Sequence, residues 1–372
     1  MSSKTSNAFH IAAMPGEGIG LEVMEAAQAV LEAVEARFGI AFRSETIPGG
    51  AHHYRETGAT LPKDGLARAG QADAILFGAM GWPDIRFPDG TEIAPQLDIR
   101  MHYGLYAGVR PIRAIPGVPT ALADPRAAGI DLVIVRESTE GMFASRGKGE
   151  IIDDREARDT QVITRDVTEK LTAFSCGLAR RRKATRGTPG RVTLVDKANV
   201  FRSFAFMRQV FHETAAKHPD IEARHHYVDA MALDLVRRPW DFDVLPMENL
   251  FGDILSDLGA GLIGGMGFAP SADVGDRNAM FQPSHGTAPD IAGQGIANPT
   301  AMILSAAMML DWLGETRSSQ AATDAALAIE KGVDKAFGER GLRSQDIGGG
   351  HGTVEIGRTV AELVRSGAAD PA

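Results

Sequence analysis

Two kinds of apolar run alternate along the chain. FHIAAMPG (9–16), ADAILFGAMG (72–81), DLVIVRES (131–138), RVTLVDKAN (191–199) and DFDVLPMEN (241–249) are of strand length, and each stops at glycine, proline or polar residues. Between them GLEVMEAAQAVLEAVEARFG (20–39) has helical spacing and closes on Gly39. AMILSAAMML (301–310) is apolar all round but too short to span a bilayer, so it reads as a buried helix. The alternation predicts an α/β protein with a mostly parallel sheet. Ligands of such sheets collect beyond the carboxyl ends of the strands, so polar residues there are the first to consider. No internal repeat or low-complexity linker interrupts the pattern, and the tail RSGAADPA is expected to fray.

Composition narrows the class. The 372 residues make one large domain or two ordinary ones and can bury a core without staples. A net charge of -9 argues against nucleic acid as a partner. The basic run Arg180–Lys183 reads as a solvated helix end. The first fifteen residues lack the apolar stretch of a signal peptide, and no membrane segment is expected. The lone Cys176 forms no intrachain disulfide and sits in an apolar stretch, which suggests a packing residue and a reducing, cytoplasmic setting.

Candidate chemistry gathers at strand ends. Asp253 and Asp257 in NLFGDILSDLGAG stand four apart, one turn of one helix face. Two neighbouring carboxylates repel unless a cation lies between them, and oxygen-only ligands suit Mg²⁺ or Mn²⁺. Asp229 in HHYVDAMALD offers a third ligand; the spacing alone also fits a hydrated polar face. Arg100, Arg110 and Arg136 would clamp a dicarboxylate if they converge, since a guanidinium meets a carboxylate in a two-pronged way. Taken singly, each also fits a surface ion pair. Lys197 follows an apolar strand and, near a cation, would serve as a proton acceptor, with Asn199 two residues on to orient a ligand amide. PGEGIG (15–20) opens a helix but lacks the dinucleotide spacing. SHGTAPDIAGQGIANPTA (284–301) offers backbone N–H groups with little bulk, suited to phosphates, and Asp290 within it can accept from a ribose diol.

These segments together resemble the β-decarboxylating dehydrogenases, which include 3-isopropylmalate, isocitrate, homoisocitrate, tartrate and D-malate dehydrogenases. PGEGIG, GVRP (108–111), RESTEG (136–141), VDKANV (195–200), YVDAMALDLV (227–236), NLFGDILSDL (249–258) and HGTAPDIAGQGIANPTA (285–301) run in the family's order over nearly the whole chain. The resemblance implies an isopropylmalate dehydrogenase-like two-domain fold, not a standard Rossmann domain. Residues 1–105 and 264–372 would form the large cofactor domain, and 106–263 the small domain with the dimer interface and metal ligands. It implies a homodimer with shared active sites. Asp253 and Asp257 would hold Mg²⁺ or Mn²⁺ with Asp229 of the other subunit, which would also supply Lys197 as the base. Arg100, Arg110 and Arg136 would bind the malate carboxylates, with Leu97 in the specificity region. Asn199 would meet the nicotinamide, and His285, Gly286, Thr287, Ala288, Asp290 and Asn298 the rest of the nucleotide. NADP-using relatives carry Lys then Tyr where this chain has Asp290 then Ile291, and Asp290 would repel a 2′-phosphate, so NAD is expected.

The implied reaction is NAD-dependent oxidation of a small 2-hydroxy diacid, with loss of carbon dioxide. Two departures bear on it. The family's proton-donating tyrosine, seven residues past the first arginine of RESTEG, is here Phe143, so Tyr103, Tyr106 or water is expected to supply the proton, or decarboxylation is slow or absent. Gln282 stands where relatives usually carry a glutamate. In the specificity region the serine of isocitrate enzymes is Ala94, and the two leucines of isopropylmalate enzymes are Gln96 and Leu97. A 3-substituted malate such as 3-isopropylmalate is therefore expected, with tartrate or D-malate as the alternative, and a non-catalytic regulatory homologue as the rival from another class.

Overall fold

The computed structural model describes residues 7–368; the first six residues and the last four of the tail lie outside the described residues. A sheet of ten strands runs through the molecule: β1 (Ala8–Gly16), β2 (Ala41–Thr46), β3 (Ala74–Ala79), β4 (Ala107–Arg113), β5 (Asp131–Glu137), β8 (Arg191–Asp196), β9 (Glu222–Tyr227), β10 (Val244–Met247), β11 (Pro270–Val274) and β12 (Ala279–Pro283). Their order is β2-β1-β3-β12-β11-β4-β5-β10-β8-β9. The two ends of the chain supply the first five positions, and the middle of the chain supplies the last five. A separate hairpin pairs β6 (Glu150–Ile152) with β7 (Glu156–Arg158).

The expected strands and helices are all present. Every residue of β3 is buried, as an apolar run in a two-sided sheet must be. In β1, Phe9 and Ile11 enter one core cluster, while Ala12 and Met14 enter another, so both faces are covered. Helix α1 (Ile19–Phe38) covers one face together with α9 (Thr300–Arg317), α10 (Gln320–Gly338) and α11 (Thr353–Arg365). Gly39 ends α1 in the left-handed region at φ 63°, which a side chain would strain. The apolar stretch at 301–310 lies within α9 and is buried on nearly every side.

The sheet is mostly parallel, as expected, with an antiparallel centre. The junctions β12–β11, β11–β4 and β4–β5 are antiparallel, and the others are parallel. A short turn between β11 and β12 forces the first of these. The edge strands β2 and β9 are mostly exposed and polar, so no apolar run announces them. The basic run is only partly solvated. Arg182 is buried, with Nε donating to Asp243 at 2.8 Å and Nη1 to Asp131 at 3.1 Å, while Arg180 and Arg181 hold surface partners. Its position facing β5 and β10 on α5 (Arg165–Arg186) explains the difference. Cys176, in the same helix, is fully buried, and burial pushes its thiol up to about 11. Among the described residues no helix is long and apolar enough to cross a membrane.

Candidate active site

Arg136 ends β5, and the parallel neighbour β10 brings Met247 level with it. The chain leaving β10 turns directly into α8 (Asn249–Leu262), so Asn249 lands beside the guanidinium. Asn249 Oδ1 accepts from Arg136 Nε at 2.9 Å and Nη2 at 2.7 Å, and Nη1 meets Asp253 one turn along. Gly252 permits this packing: a Cβ there would stand 2.6 Å from the Arg136 side chain. Arg110 reaches the same place from β4, and Arg100 from α4 (Pro95–Tyr103). The three are 4–7% exposed. Burial and the neighbouring Arg100 push Arg136 down to about 10, and burial lowers Arg110 as well. Arg110 donates from Nη1 to Ser284 Oγ at 3.0 Å, while its buried Nε finds no acceptor. Arg100 Nε lies 3.0 Å from Asp273 Oδ2, close enough to pair, but its N–H is not aligned on the oxygen. Three converging guanidiniums, two of them (Arg100 and Arg110) without a hydrogen-bond acceptor at Nε, form a receptor for carboxylate. Leu97 and Gln96 are half-buried on the same helix as Arg100, and Gln96 Oε1 has no partner.

Asp253 and Asp257 share one face of α8, directed towards Arg136 and Arg110. Burial and the adjacent Asp253 raise Asp257, the signature of two carboxylates short of positive charge. Hard oxygen donors one turn apart fit a small divalent cation. The chain itself does not complete such a site: among the described residues no three acidic or histidine side chains gather around a common point.

Asp229 stands elsewhere. β8 and β9 are parallel neighbours, with Asp196 level with Tyr227, so Lys197 and Asp229 follow their strands at adjacent positions. Lys197 Nζ donates to Asp229 Oδ1 at 2.7 Å, and this bond holds the carboxyl below its usual range. β9 is three strand positions from β5, on the order of 14 Å at ordinary spacing. Asn199 is exposed in the turn after Lys197. The protein thus carries two groups of reactive residues, a buried clamp with Asp253 and Asp257, and an exposed Lys197–Asp229 pair.

The glycine-rich segment after β12 packs against the PGEGIG turn. Ile19 N–H donates to Thr287 O at 2.9 Å, and Thr287 Oγ1 donates to Gly81 O at 2.7 Å. A Cβ on Gly18 would stand 2.1 Å from Thr287 O, so glycine is required there. Ala288 takes a positive φ of 38°, Gly286 is exposed and Asp290 is exposed. His285 Nδ1 lies 2.9 Å from Gly286 O, which makes it the donor; Nε2 is then a buried acceptor with no partner. Burial lowers the His285 pKa and keeps the ring neutral. Asn298 is committed internally: Oδ1 accepts from Thr300 N and Oγ1, and Nδ2 donates to Asp346.

Comparison with known proteins matches this architecture. The family described as isocitrate/isopropylmalate dehydrogenase covers residues 10–360. The chain belongs to that family. A 3-isopropylmalate/3-methylmalate dehydrogenase of Methanocaldococcus jannaschii is 40% identical over 358 residues, covering 95% of this chain and 98% of that protein. The crystal structure of isocitrate dehydrogenase from Methylococcus capsulatus has a TM-score of 0.83 and 35% identity, over 96% of this chain and 99% of that one. A β-decarboxylating dehydrogenase from Thermococcus kodakarensis has a TM-score of 0.78 and 36% identity, over 96% of each. The protein is accordingly a dehydrogenase of the decarboxylating type acting on a CH–OH group, with the fold of the isocitrate and isopropylmalate dehydrogenases.

Two expectations for this family member change. Tyr103 is engaged by the carbonyl of Leu66 and packs in the core on that side. Tyr106 lies against Lys170 and Asp276, and burial pushes its hydroxyl up to about 12. Neither replaces the absent tyrosine. Phe143 turns its ring to Arg136 instead, with Cζ 5.1 Å from the centroid, a cation–π contact. The sequence reading also passed over three residues. Asn249, the first letter of a motif already singled out, holds Arg136. Asp273, a lone acid in an apolar strand, lies among the arginines. Glu17, between the glycines of PGEGIG, accepts from Ala51 N at 2.9 Å and Gly81 N at 3.0 Å, and lines a cleft with His52, Trp82 and Gly293 beside the glycine-rich segment.

Proposed function

We propose that this family member is an NAD-dependent, divalent-cation-dependent dehydrogenase that oxidises a 3-substituted (2R)-malate such as 3-isopropylmalate and releases carbon dioxide. The observation that carries the reading is the convergence of three buried arginines, Arg100 and Arg110 without a hydrogen-bond acceptor at Nε and Arg136 braced by Asn249, opposite Asp253 and Asp257. The related enzymes named for 3-isopropylmalate support the substrate class.

In this reading Arg100 and Arg110 grip one substrate carboxylate, and Arg136, braced by Asn249, fixes the other side of the clamp. Asp253 and Asp257 would hold Mg²⁺ or Mn²⁺ with Asp229 of a second subunit. When bound, the cation would polarise the substrate's hydroxyl and carboxylate oxygens and NAD would serve as the hydride acceptor. Lys197 accepts the hydroxyl proton, its Nζ presented beside Asp229. Phe143 lies over Arg136 and gives no proton, so water returns the proton after decarboxylation. His285, Gly286, Thr287, Ala288, Asp290 and Asn298 shape the nucleotide end, and Asp290 favours the unphosphorylated ribose of NAD. Asn199 meets the nicotinamide.

The homodimer belongs to the same proposal. Lys197 and Asp229 lie at the sheet edge away from their own clamp, and the middle segment leaves apolar side chains exposed: Leu233, one turn along the helix from Asp229, at 55%, Ile254 beside Asp253 at 60%, and Ile151 in the β6–β7 hairpin at 79%. The large domain is 1–105 with 264–372 and the small domain 106–263, a division supported by the sheet order, in which end segments and middle segment meet at β11 and β4. Cytoplasmic residence is supported by the single free, buried cysteine.

One observation favours a second reading. Gln96 Oε1 is buried without a partner one helical turn before Arg100, a ready acceptor for a substrate hydroxyl. That favours tartrate, with D-malate as its deoxy analogue. A panel of 3-isopropylmalate, 3-methylmalate, D-malate, both tartrates and isocitrate, with Mn²⁺ and NAD or NADP, decides between them. The proposal expects NADH formation highest with a 3-alkylmalate and a preference for NAD. Highest efficiency with tartrate transfers the reading to the second substrate, and preference for NADP overturns the cofactor.

A further inference from the structure

The clamp encloses one carboxylate to which the reaction gives no role. Asp273 lies in β11 and is fully buried. Its Oδ2 stands 3.0 Å from Arg100 Nε and accepts from Gln282 Nε2 at 2.8 Å. Ser138 Oγ donates to its Oδ1 at 3.2 Å. Burial by itself would raise this carboxyl, but the guanidiniums of Arg100, Arg110 and Arg136 outweigh burial and hold it below its usual range. The neighbouring strand leaves space for the arrangement: Gly108 is level with Asp273, and a Cβ there would stand 2.5 Å from Ser138 Oγ and 3.2 Å from Asp273 Oδ1.

The consequence falls on Arg100. A guanidinium is a flat fork, and which edge it presents depends on what holds the opposite edge. Arg136 is held on every side, by Asn249 and Asp253. Arg100 makes one ion pair, its Nε 3.0 Å from Asp273 Oδ2 with the N–H off the oxygen, and among the described residues no hydrogen-bond acceptor takes either of its Nη nitrogens. Because the Nε edge lies against Asp273 as an ion pair, both Nη groups are left for a ligand. Gln282 and Ser138 fix the carboxylate from the other sides, so the aim of Arg100 is set by a chain of contacts rather than by its own flexible stem.

We infer that Asp273 is the positioning residue of the substrate clamp: it holds Arg100 by the Nε side so that the paired Nη nitrogens receive one carboxylate of the hydroxy diacid, and it offsets one of three buried positive charges. The inference rests on the proposed dicarboxylate substrate.

The test compares Asp273→Asn, the double variant Asp273→Asn with Gln282→Glu, and Gln282→Leu against the parent protein, using the best diacid of the panel with NAD and Mn²⁺. The double variant exchanges carboxylate and amide across a single 2.8 Å hydrogen bond. Asp273→Asn is expected to raise KM for the diacid about tenfold or more, with kcat within roughly threefold and KM for NAD unchanged. The exchange variant is expected to recover most of that loss. Gln282→Leu, which frees Asp273 without removing its charge, should raise the diacid KM by a smaller factor. An unchanged diacid KM in Asp273→Asn, or a parallel rise in KM for NAD, overturns the inference. So does an exchange variant no better than the single one when both melt with the parent. If Asp273→Asn does not fold, Gln282→Leu decides alone, and an unchanged diacid KM there overturns it. A parent protein that turns over no diacid counts against the substrate reading instead. D-malate titration calorimetry then reads the same ratios as Kd, and a parent that binds no D-malate overturns the inference as well.

Discussion

The clamp and the Lys197–Asp229 pair are built on opposite principles. Arg100, Arg110 and Arg136 are 4–7% exposed and braced by Asn249, Asp253, Asp273 and Ser284, so their placement is enforced by the fold of one chain. Asp229 is 68% exposed and Lys197 24%, and among the described residues Lys197 Nζ has no other acceptor. An exposed pair of this kind contributes at most about 1 kcal/mol, so stability does not require it. A charged pair that the fold does not need, at the edge of the sheet, is available to complete something outside its own chain. The largest expected effect follows. Lys197→Ala should lower kcat by about 10³-fold, within the range for loss of a general base, and leave the melting temperature unchanged. Coexpressed Lys197→Ala and Asp253→Asn chains should regain roughly a quarter of parent activity through mixed dimers holding one intact site. Activity in the mixture no higher than in either variant alone would return both halves to a single chain and end the comparison.

The second contrast is in what a clamp mutation costs. Arg136→Met should lower kcat/KM by about 10²-fold and also destabilise the protein by about 2 kcal/mol, because Asn249 Oδ1 loses both of its donors in a buried site. An Arg136→Met protein that melts with the parent would show that the clamp is no more structural than the edge pair. This joint loss also explains which half was legible in the sequence. Arg136 and Lys197 both end apolar strands, so strand periodicity pointed to them directly. The Asp253–Asp257 spacing placed two carboxylates on one helix face, and α8 bears it out. What sequence order could not convey was who braces whom. Asp273 meets Arg100 across 173 positions of chain because β11 runs antiparallel to β4, and the antiparallel centre of the sheet has no signature in hydrophobic runs. Likewise Tyr103 and Tyr106 lie near Arg100 in sequence, but α4 ends at Gly104 and their hydroxyls turn to Leu66 and Asp276.

Phe143 sharpens the comparison from inside the clamp. Its ring covers Arg136, which an edge residue has no occasion to do. Phe143→Tyr places a hydroxyl at the end of that ring and should raise carbon dioxide released per NADH towards one, by a few-fold if the parent ratio is low, with little change in KM. A ratio already at one in the parent, unchanged in the variant, would show that water protonates the product as fast as it forms.

The smallest effect separates the halves by pH. Glu137, next to Arg136, is 5% exposed, and burial pushes its carboxyl up to about 7, against the opposing pull of the Thr139 and Glu140 donors. Asp229 is displaced the other way, below its usual range, by Lys197, but is mostly exposed. For Glu137 the folded protein keeps a proton that the unfolded chain releases, so its contribution is fully present below the ordinary glutamate range and is lost as pH rises through about 7. Glu137→Gln cannot ionise. Its melting temperature relative to the parent should therefore climb by a few degrees between pH 5 and pH 8, whatever constant offset the altered hydrogen bonds to Thr139 and Glu140 impose. Asp229→Asn should show no such trend over the same interval, because its depressed titration lies below it and water screens the pair. A Glu137→Gln difference that stays flat or shrinks with pH would mean that the three donors, rather than burial, govern this carboxyl, and that the clamp side is as tolerant of charge as the exposed edge.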